Sequence, residues 1–316
     1  MWYSQRIVIQ SGRMALNLER KDKSMNVYET ITNRIIETLE SGVIPWRKEW
    51  KNSAKNGGGA LPYNLTNGRA YRGINTMMLF CSGYQSNGWA TYKQAQSLGY
   101  QVRKGEKSSP VVYWNFPTKK EQLEGRAPWM KMYHVFNVAQ LDGVPSDLPF
   151  DESAPDNRIE SAEAIAAGYM ASESHPTLAH GGSSAYFAPS RDLVQMPPRD
   201  AFTSLEAYYS TLFHEFTHST GIKARLDREE LQGIQRFGDC DYSKEELTAE
   251  FGAAFLCGEA GISNDPLITN SAAYIQNWVS KLQNDKTLVV QAAQRAQKAA
   301  DYILGRTFGE AAEVSE

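Results

Sequence analysis

The run His214-Glu215-Phe216-Thr217-His218 sets two histidines four residues apart, with a glutamate beside the first. On a helix, side chains at i and i+4 share a face, so both imidazoles can turn toward one cation. Glu215 then stands where its carboxylate can take a proton from a water polarised between them, as the base of a metal-dependent hydrolase must. A catalytic zinc takes three protein ligands and keeps a further position open. The third ligand is expected in the run Ser243-Lys244-Glu245-Glu246-Leu247-Thr248-Ala249-Glu250, where Glu246 and Glu250 lie at i and i+4. One carboxylate would bind the metal and the other would accept the free N–H of a ligating histidine. The residues alone leave open which does which.

Such a motif needs a buried helix beneath it. Ala201 to Phe213 contains neither Pro nor Gly, and Phe202, Leu205, Tyr208, Tyr209, Leu212, Phe213 and Phe216 recur at helical spacing. A helix is therefore expected over Ser204 to Thr220, with a stop at Gly221. Further helices are expected over Arg158 to Ser172, Lys244 to Gly258, Ser271 to Gln283 and Asp285 to Leu304. The stretch Ser184 to Pro197 reads as a hairpin or an edge strand, able to pair with an extended peptide. His134, His175 and His180 read as structural or solvent-facing.

At 316 residues, 41% hydrophobic and 22% charged, the chain is long enough for two cores. No apolar run approaches the ~20 residues that span a bilayer, and no signal peptide is evident, so a cytoplasmic protein without a membrane partner is expected. Cys81, Cys240 and Cys257 are odd in number and scattered, which suggests neither a disulfide framework nor a CxxC metal site. The net charge of −3 conceals an asymmetry. Met25 to Gln140 carries 15 Lys and Arg against 7 Asp and Glu, a net of +8; Leu141 to Glu316 carries 13 against 27, a net of −14. Val144 to Asn157, Pro-rich and acidic, reads as a linker. The expected organisation is an extension or disordered tail over 1–24, a first domain over 25–143, a linker over 144–157 and a second domain over 158–316.

The basic half interleaves aromatic rings with cations. Flat rings that stack on bases, set among cations that follow phosphates, suit single-stranded DNA, and no recognition helix for a duplex groove is evident. Trp46, Arg47, Lys48, Trp50, Lys51, Arg69, Tyr71, Arg72, Arg103, Lys104 and Lys107 are the expected strand-binding residues. An amphipathic helix is expected over Val27 to Glu40, with Ile31, Ile35, Ile36 and Leu39 inward. Helices are expected to open at Tyr71 to Asn75 and at Ala90 to Ala95. Strands Pro110 to Trp114 and Lys131 to Val138 should pair. The whole is an α+β chain: a small α+β domain, then a mainly helical domain with a short sheet.

The acid four residues from another acid, downstream of HExxH, resembles the gluzincin (thermolysin-like) arrangement, which implies Glu246 as ligand and Glu250 as its supporting neighbour. Both halves resemble the ArdC-type antirestriction proteins of conjugative plasmids. The motifs are Ile35 to Trp46, Tyr71-Arg72-Gly73-Ile74-Asn75, Val102 to Lys107, Val135-Phe136-Asn137, the HExxH and EELTAE runs, and Ala273 to Trp278. The resemblance implies a first domain that binds single-stranded DNA without sequence preference and a zincin-like metallopeptidase second domain. It also implies a role in protecting incoming plasmid DNA from restriction. Zinc (Zn2+) would sit on His214, His218 and Glu246, although manganese (Mn2+) or another divalent ion could use the same ligands. Glu215 would act as base, and Tyr274 or Tyr242 could donate a proton to the developing oxyanion. A peptide substrate or host restriction-system protein is the expected partner beside DNA. The alternative is a strand-coating protein whose zincin domain is structural or a protein-binding module.

Overall fold

The computed structural model describes residues 27–47, 61–115, 117, 121, 125–126, 129–145, 157–231, 240–264 and 272–306. Helix α1 (27–40) buries Ile31, Ile35 and Leu39, one per turn, with Thr32 and Ile36 beside them. It ends at Gly42, whose φ of 85° is a left-handed conformation that costs glycine nothing. The Val43 amide reaches back to the Thr38 carbonyl at 3.2 Å, closing the helix in the manner of a Schellman cap.

The first domain is built on a four-stranded sheet, β1 (Tyr63–Asn64), β2 (Gly88–Thr91), β4 (Ser109–Asn115) and β5 (Trp129–Asn137), in the order β1-β2-β5-β4. Only β1 and β2 run parallel. A two-stranded ribbon of β3 (Gln101–Val102) and β6 (Leu141–Asp142) flanks it. Helix α2 (Ile74–Phe80) is tied to β4 by Asn75, which accepts from the Val112 amide at 2.7 Å and donates to its carbonyl at 2.8 Å. Ala90, expected to open a helix, lies in β2, and α3 (Tyr92–Ser97) begins after it under a capping box of Thr91 and Gln94.

The second domain opens with α4 (Arg158–Met170) and a three-stranded sheet of β7 (Thr177–His180), β8 (Tyr186–Ala188) and β9 (Leu193–Met196). The hairpin expected upstream of the motif is β8–β9, but β9 is central because β7 pairs parallel on its other side. His180 ends β7, just before Gly181 and Gly182. Four helices follow: α5 (Leu205–Ser219), α6 (Cys240–Ala260), α7 (Ala272–Asn284) and α8 (Leu288–Ile303). The expected helix from Lys244 begins a turn earlier, at Cys240.

The two domains share one hydrophobic core. Ile35, Leu39 and Met77 of the first pack in the same cluster as Phe251, Val289 and Ala293 of the second. Polar ties cross the same boundary: Thr32 Oγ1 donates to the Lys286 carbonyl at 2.7 Å, and the Gly73 amide donates to Gln297 at 2.8 Å. Most of the expected linker, residues 146–156, lies outside the described residues.

Helices α5 and α6 cross where Gly252 faces Thr217, inside the HExxH run. A Cβ on Gly252 would come within 2.4 Å of Thr217 Oγ1, and that hydroxyl is held by the Phe213 carbonyl at 2.7 Å. Gly252→Ala is expected to force the two helices apart, costing about 1–3 kcal/mol. Because these helices carry the histidines and Glu246, metal affinity should fall with it, as isothermal titration beside thermal unfolding would show.

Candidate metal centre

Ser204 caps α5, its hydroxyl accepting the Ala207 amide at 3.1 Å, and every residue from Ala207 to Ser219 is buried. His214, Glu215 and His218 are therefore interior groups of this helix, 8%, 8% and 9% exposed. The Nε2 atoms of His214 and His218 lie 3.1 Å apart. Glu246, on the crossing helix α6, sets Oε2 3.7 Å from His214 Nε2 and Oε1 3.6 Å from His218 Nε2. These three are the one group among the described residues that could gather a metal ion, their ligand atoms all within 4.8 Å of one another.

The donor set fits a divalent cation. A tetrahedral ion with bonds of about 2.0–2.2 Å holds its ligand atoms roughly 3.3–3.6 Å apart, close to the spacing here. Two imidazole nitrogens and a carboxylate converge on one point, and a proton can bridge only one pair of them at a time.

Buried groups behind the cluster orient it. His218 donates Nδ1–H to Glu245 Oε1 at 3.0 Å, which directs its Nε2 at the cluster. Arg228 grips Glu245 with two nitrogens, Nε to Oε2 at 2.9 Å and Nη2 to Oε1 at 2.6 Å. The same guanidinium donates to the Thr217 carbonyl at 2.8 Å and to Thr220 Oγ1 at 2.7 Å, placing a positive charge at the negative end of α5. Gly221 makes room for it, since a Cβ there would fall 2.6 Å from Arg228 Nη2. Burial pulls the His218 imidazole down, but the Glu245 hydrogen bond and the charges of Glu246, Glu245 and Glu215 outweigh it, and its pKa is pushed up to about 9. Burial likewise raises Glu245, yet Arg228 and His218 hold its carboxyl below the usual range.

Sequence reasoning missed Glu245 and Arg228. Glu245 sits only about 100° around the helix from Glu246, so which one meets a histidine ring depends on how α6 crosses α5. The contact expected of Glu250 is made by Glu245 instead. Glu250 accepts the Tyr274 hydroxyl at 2.6 Å and lies 3.5 Å from Arg47 Nη2, and it is not among the three clustered groups. Tyr274 thus donates its hydrogen bond to a buried carboxylate and keeps its proton; burial first, then the charge of Glu250, drive its pKa well above the usual range. The side chain of Tyr242 lies outside the described residues.

The expected strand-binding residues separate. Trp46 is fully buried, its ring 5.2 Å from Phe251 and 6.2 Å from Trp278, so it is a core residue and no base can stack on it. The Arg47 side chain is 4% exposed and lies 4.5 Å over the Tyr274 ring. Arg47 is thereby an interior counter-charge, which corrects its expected place on a DNA surface. Arg47→Ala should leave Glu250 buried beside Tyr274 without its cation and cost about 3–5 kcal/mol, read as a lower unfolding midpoint. Lys48, Trp50 and Lys51 lie outside the described residues. Arg69, Arg72, Arg103, Lys104 and Lys107 are exposed, and Tyr71 is partly buried. Arg72 bonds Asp301 across the domain boundary, and Arg103 bonds Glu106 at 2.8 Å.

A helix bearing HExxH, crossed by a helix that supplies an acid and flanked by a short mixed sheet, defines a zincin-like metallopeptidase domain, here joined to a small α+β domain. Residues 164–295 match the family model of zincin-like metallopeptidases, and residues 25–136 match that of the N-terminal domain of the anti-restriction factor ArdC. The chain belongs to the ArdC antirestriction family. Its fold is similar to crystal structures of the antirestriction protein ArdC from plasmid R388. The metal-free form is 39% identical, with a TM-score of 0.66 over 87% of this chain and 96% of that one. The Mn(II)-bound form gives the same score and identity over 88% and 97%. The uncharacterised protein y4eC of Sinorhizobium fredii (strain NBRC 101917 / NGR234) is 36% identical over 296 residues, 88% of this chain and 91% of that protein. Two DNA primases TraC of Escherichia coli are also 36% identical, but the chain spans only 21% and 27% of their lengths. No helix among the described residues is long and apolar enough to cross a membrane.

Proposed function

We propose that this protein binds single-stranded DNA without sequence preference, hydrolyses peptide bonds with a divalent metal, and protects plasmid DNA entering a host cell by conjugation. The observation that carries the hydrolytic part is the convergence of His214, His218 and Glu246 with the buried carboxylate of Glu215 beside them. Held by those three side chains, a divalent ion supplies a Lewis acid that polarises a carbonyl and makes water more acidic. Glu215 takes the proton of the attacking water and passes it to the amine that leaves. Glu245 and Arg228 keep the His218 ring from turning. The apolar packing around α5 limits how much water reaches the carboxylate. Tyr274, once its hydroxyl parts from Glu250, or Tyr242 would be the proton donor to the oxyanion.

The donor set suits zinc and accepts manganese, and Mn(II) is the ion bound by ArdC of R388. Two imidazoles favour zinc on affinity, so zinc is the expected ion where both metals are present. The peptide substrate is proposed to be a protein of the host restriction system, met in the cytoplasm. For the DNA-binding part, the +8 balance of the basic half and its family match are the support. The experiment is a titration of labelled single-stranded and duplex oligonucleotides at several salt concentrations. Single-strand affinity should fall steeply with salt, as release of counterions requires. A salt-insensitive affinity, or a preference for duplex, would overturn it.

A further inference from the structure

The antiparallel pair β4–β5 carries aromatic residues on both faces, the Trp114 face against the main core and the Val111 face against a smaller cluster. Its register pairs Val111 with Tyr133, Tyr113 with Lys131 and Asn115 with Trp129, so these six side chains share a face. On the opposite face, Trp114 and Met130 pack against the main core, and the Trp114 ring lies 6.0 Å from that of Tyr28. A strand face turned from the core ordinarily carries polar groups. Here the inner end is core: Val111 is buried with Leu79 and Trp89, and the half-buried Tyr133 packs against that cluster, whereas Tyr113 is half-buried and Trp129 and Lys131 are exposed at the outer end. Trp129 is 46% exposed. Its ring lies 5.7 Å from Tyr113, tilted by 57°, and Tyr113 lies 6.3 Å from Tyr133, tilted by 83°. The Lys131 ammonium stands 4.8 Å from the Tyr133 ring centre.

We propose that the face formed by Tyr113, Trp129, Lys131 and Tyr133, open to solvent at Trp129 and Lys131, is a stacking platform for the bases of single-stranded DNA. This rests on the strand-binding reading above and gives it a location that the basic and aromatic composition alone does not. Three features select the occupant. The rings are tilted to one another, and Trp129, 46% exposed, offers ring surface to a base. A cation stands among them, within reach of a backbone phosphate, and no carboxylate occurs at the paired positions of this face. The face also belongs to the half of the chain with a net charge of +8. Rings among cations on an open sheet surface are the working parts of sequence-tolerant strand binders.

The test uses the full chain and a fluorescently labelled oligothymidylate, read by anisotropy at several salt concentrations, with thermal unfolding alongside. Trp129→Thr keeps a strand-forming residue and should unfold at the wild-type temperature. It is expected to weaken binding about 5- to 150-fold, the equivalent of one lost base stack, while leaving the salt slope unchanged. Trp129→Phe should recover most of that loss. Lys131→Gln should instead flatten the salt slope by about 0.7, the share of one phosphate contact on a single strand. If the wild type binds the oligonucleotide and Trp129→Thr and Tyr113→Thr bind it equally well, the rings only brace the strand pair and the platform is wrong. If the wild type itself does not bind, the strand-binding reading fails and the platform with it.

Discussion

Glu215→Gln is expected to lower the rate of peptide hydrolysis about 10²–10⁴-fold while metal content, unfolding temperature and DNA affinity stay at wild-type values. Glutamine keeps the shape of the side chain in its buried place and removes only the ability to accept a proton. The orientation of His218 does not depend on Glu215, because Glu245 receives its Nδ1–H at 3.0 Å. Metal retention with lost turnover therefore separates a base from a ligand. Hydrolysis assays with the purified variant, beside a plasmid-transfer assay into a restricting host, would read both consequences. Protection that survives intact in the variant would leave strand coating as the working activity and the zincin domain as a scaffold.

The second large effect is expected at Glu245. Glu245→Ala leaves the Arg228 guanidinium buried without its counter-charge and frees the His218 ring. The first consequence should cost about 3–5 kcal/mol of stability. The second should weaken metal binding about 10–100-fold, because an unsupported imidazole must be oriented by the metal itself. The pH dependence has a definite sign. Without metal, His218 holds a proton up to a pKa of about 9, so a metal must displace that proton at neutral pH. Metal affinity is thus expected to rise with pH by up to about tenfold per unit and to flatten above the folded pKa. Glu245→Ala should start that plateau at lower pH, since a principal group raising the His218 pKa is gone. Glu245 itself has a folded pKa below its ordinary value. Its contribution to stability is therefore present above the usual carboxylate range and lost as pH falls through the lower, folded value.

What the sequence makes legible follows the range of the interactions involved. His214 and His218 share a face because they lie four residues apart, which helical geometry settles without knowledge of the rest of the fold. The amphipathic spacing of Ile31, Ile35 and Leu39 is equally local. Glu245, Glu246 and Glu250 are another matter, for their roles depend on where α6 crosses α5, and Gly252 against Thr217 sets that crossing. Arg228 reaches the site from a turn beyond α5, and nothing in its spacing points to a histidine on the preceding helix. Trp46 and Arg47 show how composition misleads. Their types suit nucleic acid, but the shared core of the two domains draws both inside, against Phe251 and Glu250. β7 escaped notice because Thr177 to His180 is only four residues long and gains its order from the ladder with β9.

The proposed hydrolysis requires His214, His218 and Glu246 to act together as ligands of a divalent ion. Elemental analysis of the purified protein, beside His214→Ala and Glu246→Ala made and purified in the same way, measures this most directly. A single zinc or manganese ion per chain is predicted for the wild type, with little or none in either variant and folding retained. Equal metal in all three proteins, or none in the wild type after incubation with zinc and manganese, would contradict it.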